Sequence, residues 1–325
     1  MMSEHDEFSI IDQLFKPLTG LNRESRGLID DVAVIPADAS YDLVVSTDAM
    51  VAGVHFFEND PLDLVARKLM RVNISDIIAK GATPYGYQLV TAWPRGTTFQ
   101  EKQDFVRGLK VDQDRFGVDL FGGDTVSTYG PLHVSMTMFG KGQPGRVLSR
   151  LGARPGDKLL VGGYIGQAYL GMKGLEGQLI GLTPNDVNEL IGAYHLPEIR
   201  PDLAPCVRDH ARAAMDVSDG LLADADHMAR ANGLMLRIDL NRVPTSLAAR
   251  SAIATGFSLI ELVTGGDDYQ ILCAADDSGA RALVMSGFTE IGECIGVSDD
   301  TPAGAELWAD GRRIPVDRKG FTHPI

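Results

Sequence analysis

The sequence predicts a two-domain α+β or α/β protein, and three observations carry that prediction. Apolar strand-like runs and segments of helical periodicity are mixed in both halves of the chain. The length of 325 residues fits two domains. The segment Gly142-Gln143-Pro144-Gly145 breaks the pattern near the middle and sets the expected domains at 1–141 and 142–325.

The elements follow in order. Leu43–Ser46 is an apolar strand that ends at the block Ser46-Thr47-Asp48. Asp60 caps a helix whose first residue is Pro61 and which Gly81 closes. Its apolar face is Leu62, Val65, Ala66, Leu69, Met70 and Ile77 at helical spacing. Thr98 and Glu101 form a capping box for a second helix, which ends near Phe116-Gly117. His133–Lys141 alternates as a half-buried strand. Leu159–Val161 is a strand leading into the loop Gly162-Gly163-Tyr164-Ile165-Gly166, and Thr183-Pro184-Asn185-Asp186 starts another helix. Asp219 begins a helix over Leu221–Ala231, with Asn232-Gly233 as its stop. Leu234–Leu240, Tyr269–Ala274 and Thr289–Ile295 are further strands.

Composition narrows the function classes. The hydrophobic fraction of 44% is that of a folded globular chain. A net charge of −14 argues against a nucleic-acid-binding surface. It leaves room for an anionic small substrate, because bound cations invert the local field. Cys206, Cys273 and Cys294 form no C-x-x-C pair, which disfavours a disulfide framework or a zinc site and fits a reducing compartment. The segment Met1 to Phe8 is polar and acidic, unlike a signal peptide. The longest charge-free stretch, Leu159 to Met172, is too short to span a bilayer. The expectation is a soluble cytoplasmic protein with no membrane segment.

Six acidic blocks carry the chemistry: Asp30-Asp31, Ser46-Thr47-Asp48, Asn73-Ile74-Ser75-Asp76, Gly122-Gly123-Asp124, Asp216-Val217-Ser218-Asp219-Gly220 and Gly265-Gly266-Asp267-Asp268. Nearly all sit at expected strand-to-helix junctions. Carboxylates beside glycines and hydroxyls suit hard cations and phosphate oxygens. Each block has a plainer explanation. Asp30-Asp31 and Gly122-Gly123-Asp124 are also ordinary turns, and Ser46-Thr47-Asp48 is also a helix cap. Asp76 lies in the last turn of its helix, where a carboxylate is unfavourable. It calls for a cation, either bound or supplied by Lys80 four residues on. Asp216 is left over at a strand end once Ser218 and Asp219 serve as caps. The loop Gly162–Gly166 opens a helix and resembles a phosphate cradle, but it lacks the Lys-Ser/Thr of a Walker A loop. His55, in Gly53-Val54-His55-Phe56, has no nucleophile beside it.

Together these blocks resemble a known family. In order they are Gly27-Leu28-Ile29-Asp30-Asp31-Val32-Ala33-Val34, Ser46-Thr47-Asp48-Ala49-Met50-Val51-Ala52-Gly53-Val54-His55-Phe56 and Val72-Asn73-Ile74-Ser75-Asp76-Ile77-Ile78-Ala79-Lys80-Gly81-Ala82-Thr83-Pro84. Gly122-Gly123-Asp124-Thr125, Met215-Asp216-Val217-Ser218-Asp219-Gly220-Leu221, Gly265-Gly266-Asp267-Asp268-Tyr269 and the tail Gly320-Phe321-Thr322-His323 follow. From Phe8 to His323 the chain is similar to the thiamine-monophosphate kinases, within the ATP-binding superfamily of aminoimidazole ribonucleotide synthetase.

The resemblance implies the two-domain fold of that superfamily. Its N-terminal domain has strands that pair across a homodimer, and its C-terminal domain is α+β. It implies that Asp31, Ser46, Thr47, Asp48, Asp76, Asp124, Asp216 and Asp219 hold magnesium ions around the nucleotide phosphates. It implies that Gly123, Asp124, Arg150 and Ser218 contact ATP, and that His55, Asp267 and Phe321 hold thiamine monophosphate. No residue is expected to act as a general base. The sequence departs from the family in three places. Ile29 replaces the glycine before the Asp pair, Asp267 replaces a Glu, and Gln167 replaces an Asp of the glycine loop. Two rivals remain at this point. One is another ATP-dependent enzyme of the superfamily, although its sister enzymes would carry a reactive Cys near one terminus and the first Cys here is Cys206. The other is a non-enzymatic acidic cation-binding protein.

Overall fold

A computed structural model describes residues 11–20, 35, 38–298 and 302–321. Ile29, Asp30, Asp31 and His323 lie outside the described residues. The chain divides into two compact units. The first holds described residues up to Ile77 together with Ala82–Gly145; the second holds Ile78–Gly81 with the residues from Arg146 onward.

The first unit is built on a four-stranded sheet in the order β1 (Asp42–Val51), β4 (His133–Gly142), β2 (Thr83–Pro94), β3 (Asp119–Thr128). The β1–β4 and β4–β2 pairs are antiparallel, and β2–β3 is parallel. Helices α1 (Leu62–Ala79) and α2 (Phe99–Phe116) belong to one face of the sheet. Tyr87 of β2 donates to Gln113 of α2 at 3.0 Å, and the rings of Trp93 and Phe105 meet edge to face. Met136, Met138, Leu89 and Tyr87 are buried on this face. On the opposite face Leu43, Val45 and Val90 are 41–53% exposed, so among the described residues the sheet is covered on one side only. The capping box of Thr98 and Glu101 forms as expected, and Gly117 ends α2 in the left-handed conformation.

Two acidic blocks sit elsewhere than expected. β1 runs through Ser46-Thr47-Asp48 to Val51, and β3 runs through Gly122-Gly123-Asp124 to Thr128. These blocks therefore lie inside strands, not at strand-to-helix junctions. Full ladder pairing with β4 and β2 overrides the turn and cap preferences of their residues. The unit division falls after Gly145, at the end of the Gly142–Gly145 segment; β4 continues to Gly142, and the Gly145 N–H donates to Asp42 Oδ2 at 2.8 Å.

The second unit holds a seven-stranded sheet. Its order is β11 (Arg312–Ile314), β10 (Gly304–Ala309), β7 (Leu234–Asp239), β9 (Thr289–Gly296), β5 (Lys158–Gly162), β8 (Gln270–Ala275), β6 (Ala213–Val217). Only the β10–β7 pair is parallel. Helix α6 (Leu221–Asn232) contributes Leu221, Leu222, Ala225, Met228 and Ala229 to the main core, against Leu159, Met215, Leu236 and Leu272 of the strands. A second cluster joins α3 (Gln167–Leu175), α4 (Pro184–His195), α7 (Leu247–Ala254) and α8 (Leu259–Thr264), while α5 (Ala204–His210) leads into β6. Among the described residues, no helix is long and apolar enough to cross a membrane.

Candidate functional site

In the first unit the candidate cation ligands meet where β1 faces α1. Strand alternation turns Ser46, Asp48 and Met50 toward the helix-covered side, while Thr47 faces the other way and shares a 2.9 Å hydroxyl contact with Thr137. Asp76, from the last turn of α1, accepts a hydrogen bond from the Ser46 hydroxyl. Asn73, one helical turn earlier, accepts the Asp48 N–H at 3.2 Å and donates to Leu69 O at 2.9 Å. It thereby fixes the height of the strand against the helix. Burial pushes the Asp48 carboxyl up to about 7, and the neighbouring charge of Asp76 and its hydrogen bond add to the rise. Among the described residues, no cationic side chain pairs with Asp48 or Asp76. Of the two alternatives for Asp76, the pair with Lys80 does not form; Lys80 donates to Ala214 O at 2.8 Å.

Asp124 is not brought to this pair within the unit. It is opposite Val90 on β2, which is opposite Ser135 on β4, which is opposite Ala49 on β1. That row lies on the uncovered face, whereas Asp48 points to the covered one. Three strand spacings, roughly 14 Å, separate the edge strands. Gly123, next to it, has φ 158°, close to extended backbone, and a Cβ there would lie 1.8 Å from Leu89 O. His55 sits in the turn after β1, where its Nδ1 accepts the Val51 N–H at 3.1 Å. That bond leaves the ring proton on Nε2.

In the second unit the loop between β6 and α6 carries Asp216, Ser218 and Asp219. Its main chain is tied on both sides. The Ser218 and Asp219 N–H groups both donate to Asp224 Oδ2, at 2.9 and 3.0 Å. Ser218 O accepts the Asp267 N–H at 2.8 Å, and Asp219 O accepts the Phe321 N–H at 2.9 Å. Two sequence-expected ligand contacts, Asp267 and Phe321, are thus brought to the expected metal loop. Asp267 has φ 72° and Tyr269 φ 52°, a left-handed conformation that costs a non-glycine residue of order 1 kcal/mol or more. The Tyr269 hydroxyl donates to Asp267 Oδ1 at 3.2 Å. Arg150 is exposed, and its carbonyl accepts from Asn232 Nδ2 at 2.8 Å at the end of α6. Burial pushes the Asp224 carboxyl up to about 7 and the Asp219 charge adds to that, while the two N–H donors and the Arg150 guanidinium pull it down.

The glycine loop does not present a vacant phosphate cradle. Asp268, buried, accepts the Gly166 N–H at 2.6 Å and the Ala168 N–H at 3.2 Å. The chain's own carboxylate occupies the N-terminus of α3, where a phosphate oxygen would otherwise sit. Asp224, Asp268, Tyr269 and Asn232 were missed as site residues by sequence reasoning. Asp224 did leave a signal: a carboxylate in the first turn of a helix that follows an acidic loop.

Among the described residues, no three His, Cys, Asp or Glu side chains are grouped closely enough to hold a metal by themselves. The donor set of two carboxylates and a hydroxyl in the first unit still fits magnesium. That ion takes one or two protein carboxylates and completes its shell with water and substrate phosphates.

Residues 29–141 match the family described as AIR synthase related protein, N-terminal domain. A thiamine-monophosphate kinase of Caulobacter vibrioides is 42% identical over 327 residues, covering 98% of this chain and 90% of the relative. The chain belongs to the thiamine-monophosphate kinase family. Among solved structures, the thiamine-monophosphate kinase from Stenotrophomonas maltophilia K279a matches with a TM-score of 0.80 and 30% identity, covering 95% of this chain and 98% of that one. AaThiL complexed with AMPPCP and TMP matches with a TM-score of 0.78 and 26% identity over 99% of each chain. The aminoimidazole ribonucleotide synthetase-like fold expected from the sequence is therefore the fold of this kinase-family member. Its departures from the family pattern can be located. Gln167 opens α3 beside the Asp268 cap, and Asp267 is one of the two left-handed residues of the 265–269 segment.

Proposed function

We propose that this protein transfers the γ-phosphoryl group of ATP to the phosphate of thiamine monophosphate, giving thiamine diphosphate and ADP. The observation that carries the proposal is the near-full-length likeness to thiamine-monophosphate kinases, one of them complexed with AMPPCP and TMP. The acceptor phosphate is already anionic, so the chain needs no strong general base; the obstacle is repulsion between two anions. Magnesium, when bound, would offset that repulsion and align donor and acceptor in line.

The residues divide the work. Ser46, Asp48 and Asp76 would hold one cation, with Asp31 and Thr47 retained from the family pattern. Asp216 and Asp219 would hold cation and phosphate in the second unit. Asp124, on the uncovered face, and Gly123 beside it in β3 would serve a position distinct from the Asp48–Asp76 pair. Arg150 gives fixed donors to nucleotide phosphate oxygens, and Ser218 adds a hydroxyl. Phe321 offers a ring face to the cationic thiazolium or the pyrimidine, Asp267 a carboxylate, and His55 an Nε2–H donor. The exposed Leu43, Val45, Val90 and Val126 support a homodimer in which a second copy covers this sheet. Action in the cytoplasm completes the reading.

The test is a turnover assay with magnesium, ATP and thiamine monophosphate, run beside other phosphorylated acceptors. Production of thiamine diphosphate is the expected result. Cation and nucleotide binding without turnover of any acceptor would instead favour an acidic binding protein.

A further inference from the structure

We propose that Asp224 is a positioning residue, which fixes the Ser218–Asp219 main chain so that the Ser218 hydroxyl and the Asp219 carboxylate stand ready for the nucleotide and its cation. The inference rests on the assignment of that loop made above. It does not make Asp224 a ligand, because its carboxylate faces the main chain.

The geometry is specific. Asp224 is only 3% exposed, in the first turn of α6. Gly220, the residue before that helix, has φ 116° and no side chain to cap it. Asp224 reaches back past it, and one oxygen takes both the Ser218 and the Asp219 N–H. The carbonyls of the same two residues are held by the Asp267 and Phe321 N–H groups. All four main-chain polar groups of Ser218 and Asp219 are thereby committed. Their side chains are not: among the described residues, neither the Ser218 hydroxyl nor the Asp219 carboxylate has a hydrogen-bond or ion-pair partner. The loop is a rigid main chain that presents two unpartnered oxygen-bearing side chains, and Asp224 supplies half of its anchors. Loss of an anchor leaves two donors unpaired and lets the loop turn, and small displacements of positioning groups are costly in catalysis.

Three variants separate hydrogen bonding, charge and mere stability. Asp224→Asn keeps an acceptor oxygen at the same reach and removes the charge. Asp224→Glu keeps the charge and displaces the acceptor by one methylene. Asp224→Ala removes both. Each is titrated with magnesium and AMPPCP by calorimetry, assayed for turnover, and melted. Asp224→Asn is expected to bind magnesium–AMPPCP within about threefold of the parent, and Asp224→Glu and Asp224→Ala at least about tenfold more weakly. Retention by Glu with loss by Asn would overturn the proposal in favour of a charge effect. Lower melting temperatures with unchanged nucleotide affinity in all three would overturn it in favour of a stability role. If Asp224→Ala does not fold, the contrast between Asn and Glu decides alone. A parent that binds magnesium–AMPPCP but turns over no acceptor defeats the kinase assignment and leaves this comparison intact. A parent that binds no magnesium–AMPPCP overturns both.

Discussion

The main-chain N–H of Phe321 donates to the carbonyl oxygen of Asp219 at 2.9 Å. The contact joins the end of the described chain to the acidic loop that precedes α6. Gly320 makes the close approach possible: a Cβ there would lie 2.5 Å from Asp219 O and 2.5 Å from Ala223 Cβ. Two segments about a hundred positions apart, one read as a cation ligand and the other as an acceptor contact, therefore share a backbone bond.

Phe321→Ala removes the ring and keeps this bond, because the donor is the main chain. The ring is 45% exposed, with the Arg318 guanidinium 5.9 Å from its centroid, so it contributes little to the core. Thiamine-monophosphate affinity should fall about ten- to thirtyfold, the loss of a stacking contact of about 1–2 kcal/mol. The melting temperature and AMPPCP affinity should stay nearly unchanged. A lower melting temperature with intact acceptor affinity would identify Phe321 as an anchor only.

Asp48→Asn should lower turnover by about a hundredfold or more, as removal of one preorganised electrostatic group does. The physical ground is the Asp48–Asp76 pair: burial and the neighbouring Asp76 charge push the Asp48 carboxyl up to about 7, and among the described residues no cationic side chain pairs with either. EDTA should abolish activity and excess magnesium restore it. Near-parental turnover of Asp48→Asn at saturating magnesium would remove this pair from the site.

Much of this was legible in the sequence. The helices from Thr98 to Gly117 and from Thr183 onward announce themselves by capping residues, which act locally. The strand at His133 does so by alternation. Ser46-Thr47-Asp48 reads as a strand end and Gly122-Gly123-Asp124 as a turn, because their residues favour caps and turns. They lie mid-strand because the pairing of β1 with β4 and of β2 with β3 is non-local and outweighs that preference. The same register separates Asp124 from Asp48, which no local pattern reveals. The Asp268 cap on α3 was hidden for a similar reason: its partners Gly166 and Ala168 are 102 and 100 positions away.

Arg150→Ala should raise the KM for ATP much more than the KM for thiamine monophosphate. Asn232 holds the Arg150 carbonyl and also accepts the Gly152 N–H at 2.8 Å, so the residue's main chain is fixed and its guanidinium is exposed. The substitution leaves those main-chain bonds intact, and any kinetic effect belongs to the lost guanidinium. Equal effects on the two KM values would place Arg150 away from the nucleotide.

The last prediction concerns pH. Burial pushes the Asp268 carboxyl from its ordinary 3.8 up to about 7, although the Gly166 and Ala168 N–H groups pull it down. Below about pH 4 the group is protonated in both folded and unfolded chains; above about 7 it is charged in both. Between those limits the folded chain holds a proton that the unfolded chain has released. The stability that this proton provides is therefore lost as pH rises through the window, by up to about 1.4 kcal/mol per pH unit for one group. Asp268→Asn cannot titrate, so the metal-free variant should lose stability less steeply than the parent between pH 4.5 and 7. Asp48 and Asp224, pushed up to about 7 as well, titrate alike in both proteins, and the difference in slope isolates Asp268. Thermal melts across that range measure it. Identical slopes would mean that Asp268 is ionised throughout and that its two N–H donors outweigh its burial.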